Sequence, residues 1–386
     1  MIETKLFKDF FESEKAGGLI LISCTVVSLI IANSAFGDSY HHFWQTQVAG
    51  GSIEHWVNDG LMAIFFLLIG LELEREIYQG ELSNLKDALL PIFGALGGII
   101  LPAGIFIFFN YGTPTQSGAG IPMATDIAFA LGVLSLLGKR VPTSLKVFLT
   151  ALAVIDDLGA ILIIAIFYTK TILWAKLFIA LGIFVLLLIM NRLKVRNLIP
   201  YILGGIGMWY FMLLSGVHAT IAGVLLAFAI PFGNGDEKST SYILQHFLHK
   251  PVAFIILPIF ALANTAIMFS ADIGQVLLQN YSLGIATGLI IGKPLGIFLL
   301  TYLSIVTGLC KLPADLNWKS IIGIGFLGGI GFTMSIFITL LAFDDASIIN
   351  NAKLVILIAS LLAGLIGFLS LKWALKPANK EIADVT

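Results

Sequence analysis

The chain has 386 residues, 58% of them hydrophobic and only 12% charged, and its mean hydropathy is +0.98. Soluble domains carry about 25% charged residues, so this composition excludes a soluble globular protein and indicates a polytopic membrane protein. The net charge of −1 excludes the basic surface of a nucleic-acid-binding protein, and six His and two Cys are too few for a zinc or disulfide framework.

Apolar runs long enough to cross a bilayer occur throughout the chain. A spanning helix needs about 20 mostly apolar residues, and counting such runs predicts about twelve spans in one integral membrane domain, 1–386. The predicted spans are 17–33, 57–73, 88–109, 121–137, 145–168, 174–190, 198–214, 216–231, 251–268, 283–307, 320–341 and 352–375.

The first two segments each allow two interpretations. The run 17–33 ends in the letters ANSA, which resemble a signal-peptide cleavage site, but its length and its acidic head favour a spanning helix. The segment 34–56 alternates aromatic and polar residues around Gly50-Gly51, which predicts either a β-hairpin or an irregular interfacial loop.

The basic residues are distributed unequally between the two sides of the predicted bundle. Of the 22 Lys and Arg residues, 18 fall on the side that holds both tails and one, Lys293, falls inside a span. The other three, on the outer side, are Lys170, Lys176 and Lys353. Because cytoplasmic loops are enriched in Lys and Arg, this bias predicts that both termini are cytoplasmic.

Titratable residues also lie near both ends of the predicted spans. The second span ends in GLELEREIYQGEL, which places Glu72 and Glu76 four residues apart on one helical face with Arg75 beside them. Such a cluster is either a solvated helix end or an electrostatic funnel that gathers cations and senses pH. His218, near the outer end of the eighth span, is either a pH switch or a hydrogen-bonded structural histidine.

Four ionisable residues lie well inside predicted spans: Asp126, Asp156, Asp157 and Lys293. Each costs about 2.5–3.5 kcal/mol at the bilayer centre on insertion scales. They are therefore expected to face one another or a wet cavity, and such residues typically mark ion paths and proton relays.

The adjacent aspartates stand in AVIDDLGAI, with apolar residues on both sides. Asp156 and Asp157 point about 100° apart on a helix, so one can face a cavity while the other faces a neighbouring helix. The two carboxylates should titrate as a coupled unit that exchanges a proton for a small cation such as Na⁺. The alternative is that a loop breaks this run and the aspartates cap a helix.

Lys293 stands in LIIGKPLGIF, where the following proline already weakens the helical hydrogen bonding. A lysine inside a span should pair with an acid, and Asp156 or Asp157 is the expected partner. The alternative is a lysine that extends to the membrane interface.

Two spans carry signals of an interruption. Thr125-Asp126 in GAGIPMATDIAFALG follows a Gly- and Pro-containing entry, which predicts either a break in mid-membrane or an ordinary N-cap at the membrane face. The run GIGFLGGIGFTMSIFI in 320–341 has five glycines and no charge, which by itself predicts either a second break or close helix packing through small residues. The fourth and eleventh spans are the middle members of spans 3–5 and 10–12, so the predicted breaks in 121–137 and 320–341 indicate an inverted-topology repeat, all-α, with its site at mid-membrane.

These motifs resemble those of the NhaA family of bacterial sodium–proton antiporters, itself a known example of the inverted-repeat architecture. The resemblance covers nearly the whole chain, from about Gly17 to Trp373, and ATDIAFA followed at this spacing by AVIDDLGAI is highly specific. The matching stretches are WVNDGLMAIFFLLIGLELERE, MATDIAFALGVLSLLG, LTALAVIDDLGAI, SGVHATIAGV, ILPIFALANTAI, IGKPLGIF and GGIGFTMSIFI.

The resemblance implies a secondary active antiporter of the bacterial inner membrane that is electrogenic and pH-regulated and exports Na⁺ or Li⁺ in exchange for protons, without a cofactor. In that family pattern Asp157 would be the main sodium-binding carboxylate, with Asp156 titrating beside it and pairing with Lys293. Thr125 would be a further Na⁺ ligand at the crossed breaks of the fourth and eleventh helices, where Asp126 would compensate helix-end charges.

The resemblance also implies a regulatory cluster and a homodimer. Glu72, Arg75 and Glu76 would belong to a cytoplasmic pH sensor, with His218 and Gln245 as further candidates. Dimers would form through an outer-face hairpin at 40–55.

Two positions depart from the family pattern. Glu74 stands where a basic residue is expected, and Gln245 stands where an acidic residue of the pH sensor is expected. The ion-binding chemistry should survive both, whereas the pH of activation is expected to differ.

Three other functions fit parts of the pattern. One is an antiporter or symporter for another ion on the same fold. The second is an intramembrane aspartyl protease in which Asp126 and Asp157 share a proton. The third is a retinal-type pump with Lys293 as the Schiff base. The twelve spans predicted for this chain and the lysine's position before a proline argue against it.

Overall fold

A computed structural model of the chain describes residues 5–168, 172–268 and 273–375. The ends of the two tails predicted to be cytoplasmic, 1–4 and 376–386, lie outside the described residues, as does Lys170, which was predicted on the outer side.

The described residues form an all-α bundle with one two-stranded hairpin, as expected of a polytopic membrane protein. The hairpin consists of β1 (Gln47–Val48) and β2 (Gly51–Ser52). A 3-10 helix, Gln116–Met123, precedes α5, and shorter ones occupy Glu81–Ser83 and Gly138–Arg140. The helices are α1 (Lys5–Ala32), α2 (Gly37–Gln45), α3 (Ile53–Tyr78), α4 (Leu85–Asn110), α5 (Ile127–Ser135), α6 (Thr143–Phe167), α7 (Trp174–Arg192), α8 (Leu198–Ser215), α9 (Ile221–Ala229), α10 (Thr240–Asn264), α11 (Ile273–Leu277), α12 (Asn280–Val306), α13 (Trp318–Gly328), α14 (Phe332–Ala342) and α15 (Ala346–Ala374).

The number of spans differs from the prediction at one place. Within the described residues nine helices are long and apolar enough to cross a bilayer, or eleven when each of two bent pairs is taken as one span. The predicted span 216–231 is the missing twelfth, because only the nine residues of α9 are helical and they cover about 14 Å. The first residue of this run, Gly216, ends α8 in the left-handed conformation at φ +83°, and a turn follows it.

Contacts between loops identify the two ends of the bundle. At the end that we call the basic end, Gln79 donates to the carbonyl of Asn234 and Ser144 Oγ donates to Asp315 Oδ2 at 2.5 Å. At the opposite end, Asn33 Nδ2 donates to the carbonyl of Ile267 at 2.9 Å. The basic end is the one to which the charge distribution assigns both tails.

The opposite end carries the segment for which the sequence left a hairpin and a loop open. Gln47 pairs with Ser52 and Val48 with Gly51 in antiparallel register. The turn residues Ala49 and Gly50 have φ of 49° and 91°, the positive values that a tight two-residue hairpin turn needs. The strands are only two residues long, and α2, which the sequence did not predict, fills most of the preceding segment.

The helix that carries Lys293, α12, approaches α4 through facing glycines. A Cβ atom added at Gly97 on α4 would collide with the carbonyl oxygen of Gly296 on α12, and one added at Gly296 would collide with that of Gly97. This contact holds α4 and α12 at backbone distance, one turn away from Lys293.

Both predicted interruptions are present. In the fourth span the 3-10 helix ends at Met123, residues 124–126 are not helical, and α5 begins at Ile127. In the eleventh, α13 and α14 meet at an angle of 46° across residues 329–331. The breaks touch, because the backbone N–H of Asp126 donates to the carbonyl of Ile330 at 2.7 Å.

A widened helical turn precedes the buried lysine. Residues Gly288–Gly292 of α12 form a π-helical turn, and Lys293-Pro294 follow directly. Proline has no N–H to donate, so the usual hydrogen-bond ladder is interrupted at this point. Such π-turns recur at functional sites because they rotate the next side chains relative to a regular helix.

Candidate ion-binding site

The site is centred on Asp156 and Asp157 in the middle of α6, each only 1% exposed. Asp156 Oδ2 accepts hydrogen bonds from Lys293 Nζ and from Thr125 Oγ1, both at 2.7 Å. The other oxygen of Asp156 and Oδ1 of Asp157 have no hydrogen-bond partner among the described residues. The pair therefore divides into one carboxylate that a lysine holds and one that faces a small internal space.

Lys293 is completely buried, and its ammonium group has two partners. Besides Asp156 it donates to the carbonyl of Met123, the last residue of the 3-10 helix in the broken fourth span. The carbonyl end of a helix carries a partial negative charge, so the lysine is stabilised both by a carboxylate and by a helix end.

Thr125 connects the aspartate pair to the second break. Its Oγ1 lies 2.7 Å from Asp156 Oδ2 and 2.8 Å from the carbonyl of Gly328, the last residue of α13. A hydroxyl has one proton and two lone pairs, so Thr125 can donate to either oxygen and still offer its own oxygen to a cation.

Asp126 lies where two helices begin. Its Oδ1 caps α5 by accepting from the backbone N–H of Phe129 at 2.9 Å. Its Oδ2 accepts from the backbone N–H and the hydroxyl of Thr333, in the first turn of α14, at 3.1 and 2.5 Å. One carboxylate thus faces two helix N-termini, each with partial positive charge, while Lys293 faces a negative helix end. The N-cap that the sequence allowed is therefore part of the mid-membrane break.

A small cavity of about 20 Å³ lies beside Asp157. Its polar lining residues are Glu72, Thr125, Asp126, Asp157 and Thr333. A cavity needs about 10–15 Å³ to hold a water molecule, so this one accommodates a single water or an ion of similar size. An ionised carboxylate with an unpaired oxygen is costly in a dry interior, so Asp157 needs a proton or a cation there.

Glu72 belongs both to this cavity and to the predicted pH-sensing cluster. It is 8% exposed, and its Oε1 lies 3.3 Å from Nε2 of His249 on α10. Arg75 and Glu76 are half-buried, and Gln245 is buried one helical turn before His249. The helix continues to Tyr78, so a solvated helix end does not describe Glu72 or the equally buried Glu74.

His218 lies at the opposite end of the bundle, away from the other members of that cluster. Its Nε2 is 2.8 Å from the carbonyl of Tyr168, just beyond α6. The Tyr168 hydroxyl donates to the carbonyl of Ser117 at 2.7 Å. These contacts tie α6 to the beginning of the broken fourth span.

Sequence reasoning missed three residues of these networks: His249, Thr333 and Lys353. His249 lies four residues after Gln245 in YILQHFLHK, and Thr333 lies two residues after the last glycine of the second break, so both left a signal. Lys353 was predicted only as one of three basic residues on the outer side. It is 5% exposed, bonds Asn264 at 3.2 Å and lies 3.6 Å from Glu54.

Comparisons with known proteins agree along the whole chain. The family described as Na+/H+ antiporter 1 matches residues 8–371. A protein of Flavobacterium psychrophilum named Na(+)/H(+) antiporter NhaA is 75% identical over 97% of this chain and 97% of its own length. Proteins of the same name from Cytophaga hutchinsonii and Dechloromonas aromatica are 63% and 64% identical over 99% and 96% of this chain, and over the same shares of their own lengths.

The family match and these relatives cover both broken spans and the aspartate pair. The chain is therefore a multi-pass bacterial membrane protein that belongs to the Na+/H+ antiporter 1 family.

Proposed function

We propose that this protein exchanges Na⁺ or Li⁺ for protons and that Asp156 and Asp157 are where the ions compete. The observation that carries the proposal is the Asp157 carboxylate, which has an unpartnered oxygen beside a cavity of about 20 Å³. The names of the relatives support Na⁺ and H⁺ as cargo. Proteins of this family are transporters rather than enzymes and need no cofactor, so the protease alternative is set aside.

The exchange follows from competition for oxygen ligands. Na⁺ entering beside Asp157 displaces its proton and takes ligands from Asp157, Thr125 and, after a shift of Lys293, Asp156. The loaded site then reorients as one group of helices moves against the rest of the bundle, and protons from outside displace the cation. Two titrating groups for each cation make the exchange electrogenic. The same arrangement in the inverted repeat could serve another small cation, and the ion preference is read from the experiment below.

Regulation by pH is assigned to the cluster at the basic end. Glu72 lines the Asp157 cavity and contacts His249, so a change of charge in this pair alters the field at the entry to the ion site. Arg75, Glu76 and Gln245 lie on the same two helices. Because Glu74 and Gln245 depart from the family pattern, the activation pH of this protein should be shifted. His218 would act separately, at the opposite end.

Orientation and assembly complete the proposal. The bias of Lys and Arg supports a cytoplasmic position for the basic end and both termini, and with it a location in the inner membrane. The hairpin within 40–55 would join two copies as a homodimer, because the Gln47 and Val48 side chains are exposed and the edges of such a short hairpin are unpaired.

The proposal is tested in everted membrane vesicles, by Na⁺-driven dissipation of a proton gradient between pH 6 and 9. The native chain should respond to Na⁺ and Li⁺, and Asp157→Asn should abolish the response. Asp38→Asn, which removes an exposed carboxylate from α2, is the matched control and should retain it. Native vesicles that respond to neither ion would refute the assigned cargo, and full exchange by Asp157→Asn would refute the assigned site.

The dimer is tested separately by cross-linking. Val48→Cys places a thiol on the exposed face of β1, in a chain whose two native cysteines are replaced by serine. Oxidation should convert this variant to a covalent dimer, whereas a cysteine at Phe178, exposed on α7 and not part of the hairpin, should leave it monomeric on denaturing gels. Equal dimer yields from both positions would indicate random collision and remove the hairpin from the interface.

A further inference from the structure

A second cavity at the basic end has no part in the exchange mechanism. It has a volume of about 480 Å³ and lies between the ends of α3, α7 and α9. We call it the Glu74 cavity, after the one charged residue among the described residues that line it. Glu72 faces the Asp157 cavity, and two residues along a helix correspond to a rotation of about 200°, so Glu74 faces the other side of α3.

Glu74 is only 4% exposed, and its Oε2 has no hydrogen-bond partner among the described residues. No described basic side chain forms an ion pair with it. A buried carboxylate in this position is stable only with a proton or a cationic partner, and the chain itself does not supply the cation. The family resemblance predicts a basic residue here, and this chain has an acid instead.

The remaining lining offers hydrogen-bond acceptors and aromatic rings. Asn191 Nδ2 already donates to the carbonyl of Ala229 at 3.1 Å, and Gln79 Nε2 already donates to the carbonyl of Asn234. Their amide oxygens are left as the groups that can accept a hydrogen bond. The rings of Tyr78 and Phe232 pack together with centroids 5.0 Å apart, and Phe228 lines the same space.

The size and chemistry of this lining define the class of ligand. A volume of 480 Å³ lies within the 300–1,000 Å³ typical of small-molecule sites and is far too large to close around a bare Na⁺. One carboxylate and two amide oxygens match the three N–H donors of a primary ammonium group. Aromatic rings stabilise an adjacent cation and accommodate an apolar body.

We propose that the Glu74 cavity binds a primary organic ammonium cation, at a site separate from Asp156 and Asp157. Glu74 accepts the charged hydrogen bond, Asn191 and Gln79 accept the others, and Phe228, Phe232 and Tyr78 contact the organic part. This binding does not depend on the exchange of sodium for protons.

The proposal is tested by calorimetric titration of the purified full-length protein with phenethylammonium chloride in a sodium-free potassium buffer. The native protein should bind one equivalent, and Glu74→Gln should weaken binding about tenfold or more, because the ammonium group loses its negatively charged acceptor and keeps only a weaker, neutral one. Glu76→Gln is the matched control: it removes an acid from the same helix that does not line the cavity, and it should bind like the native protein. Each variant is checked for monodispersity and for its thermal unfolding midpoint.

Two further titrations separate the alternatives. Asp157→Asn should bind phenethylammonium normally; a loss of binding there, with none in Glu74→Gln, would place the cation at the exchange site and overturn the proposal. Phenethyltrimethylammonium, which keeps the aromatic body but has no N–H donor, should bind more weakly than phenethylammonium, and equal binding would overturn the assignment to primary ammonium. The absence of binding to the native protein would overturn the site altogether.

Discussion

Lys293 and Asp156 form a buried ion pair whose groups have further partners. The lysine also contacts the carbonyl of Met123, and the carboxylate also contacts Thr125. Desolvating two charges costs several kcal/mol per ion, and the attraction between them offsets that cost only when the remaining hydrogen bonds are also made. The pair is therefore more sensitive to the loss of one member than to the loss of both.

Breaking this pair from either side should destabilise the protein more than removing it completely. Lys293→Met or Asp156→Asn alone leaves a buried group without its charge partner, which costs about 3–5 kcal/mol in comparable pairs. The double variant leaves no unpaired charge, so its loss should be smaller than the sum of the two single losses. Thermal unfolding in detergent of the native protein and the three variants measures this coupling.

The control for the lysine is Lys139→Met, at an exposed position of the basic end, where the unfolding midpoint should not change. Additive losses for Lys293→Met and Asp156→Asn would mean that the two groups do not interact, contrary to their distance of 2.7 Å.

At the residue scale the sequence predicts the kind of group but not its partner. Four charges in apolar spans are expected to face one another or a wet cavity, and that much follows from the cost of burial. The choice of Asp156 over Asp157 for Lys293 depends on how α6 is rotated against α12. The carbonyls of Met123 and Gly328 are backbone groups, which any residue type would supply, so no sequence signal could identify them.

At the scale of elements, the two broken spans form one unit. The end of the 3-10 helix and the end of α13 direct carbonyls at Lys293 and Thr125, whereas α5 and α14 direct N–H groups at Asp126. Each helix end thus faces a group that complements its partial charge. The sequence predicted both interruptions from Gly, Pro and N-cap residues, but it did not predict the 3-10 geometry of Gln116–Met123, which depends on packing.

The contact between α4 and α12 should control the position of Lys293. Gly97→Ala adds a methyl group where the carbonyl of Gly296 already lies, so the helices must separate. We expect a loss of about 1–3 kcal/mol in stability, as for other overpacked sites. Exchange should fall as well, because Lys293 lies one turn from Gly296. Unfolding midpoints and vesicle exchange measure the two effects.

Gly104→Ala provides the comparison on the same helix. A Cβ at Gly104 meets no atom within 4 Å, so this change should leave stability unchanged or raise it by about 0.5–1 kcal/mol through helix propensity. If Gly97→Ala were as stable and active as Gly104→Ala, the close approach of the two helices would not be needed to hold the lysine.

At the scale of the whole molecule, composition and charge distribution predict more than secondary-structure detail does. Hydropathy alone gives the all-α membrane fold and twelve spans, of which the described residues form eleven when each bent pair is taken as one span. It fails at 216–231, where the apolar run continues but the backbone turns at Gly216 and leaves α9 with nine residues. A turn within a uniformly apolar run does not change the mean hydropathy, so hydropathy cannot detect it.

Because α9 is short, the topology of the chain depends on whether the α9 segment crosses the membrane, and labelling can test this. Between Tyr111 and Lys238 lie the broken fourth span, α6, α7, α8 and α9, so the two residues lie on opposite sides of the membrane only if the α9 segment completes a crossing. In a chain lacking Cys24 and Cys310, Lys238→Cys should react with a membrane-impermeant maleimide in everted vesicles only. Tyr111→Cys, exposed in the loop after α4, should react in right-side-out vesicles only.

Each possible labelling pattern isolates one assumption. The reversed pattern would place the basic end outside and contradict the bias of Lys and Arg. Labelling of both positions from the same side would mean that the α9 segment does not cross. In the predicted pattern the nine helical residues, together with the turn before them, span the membrane within the bundle, where neighbouring helices rather than lipid satisfy the exposed backbone of the turn.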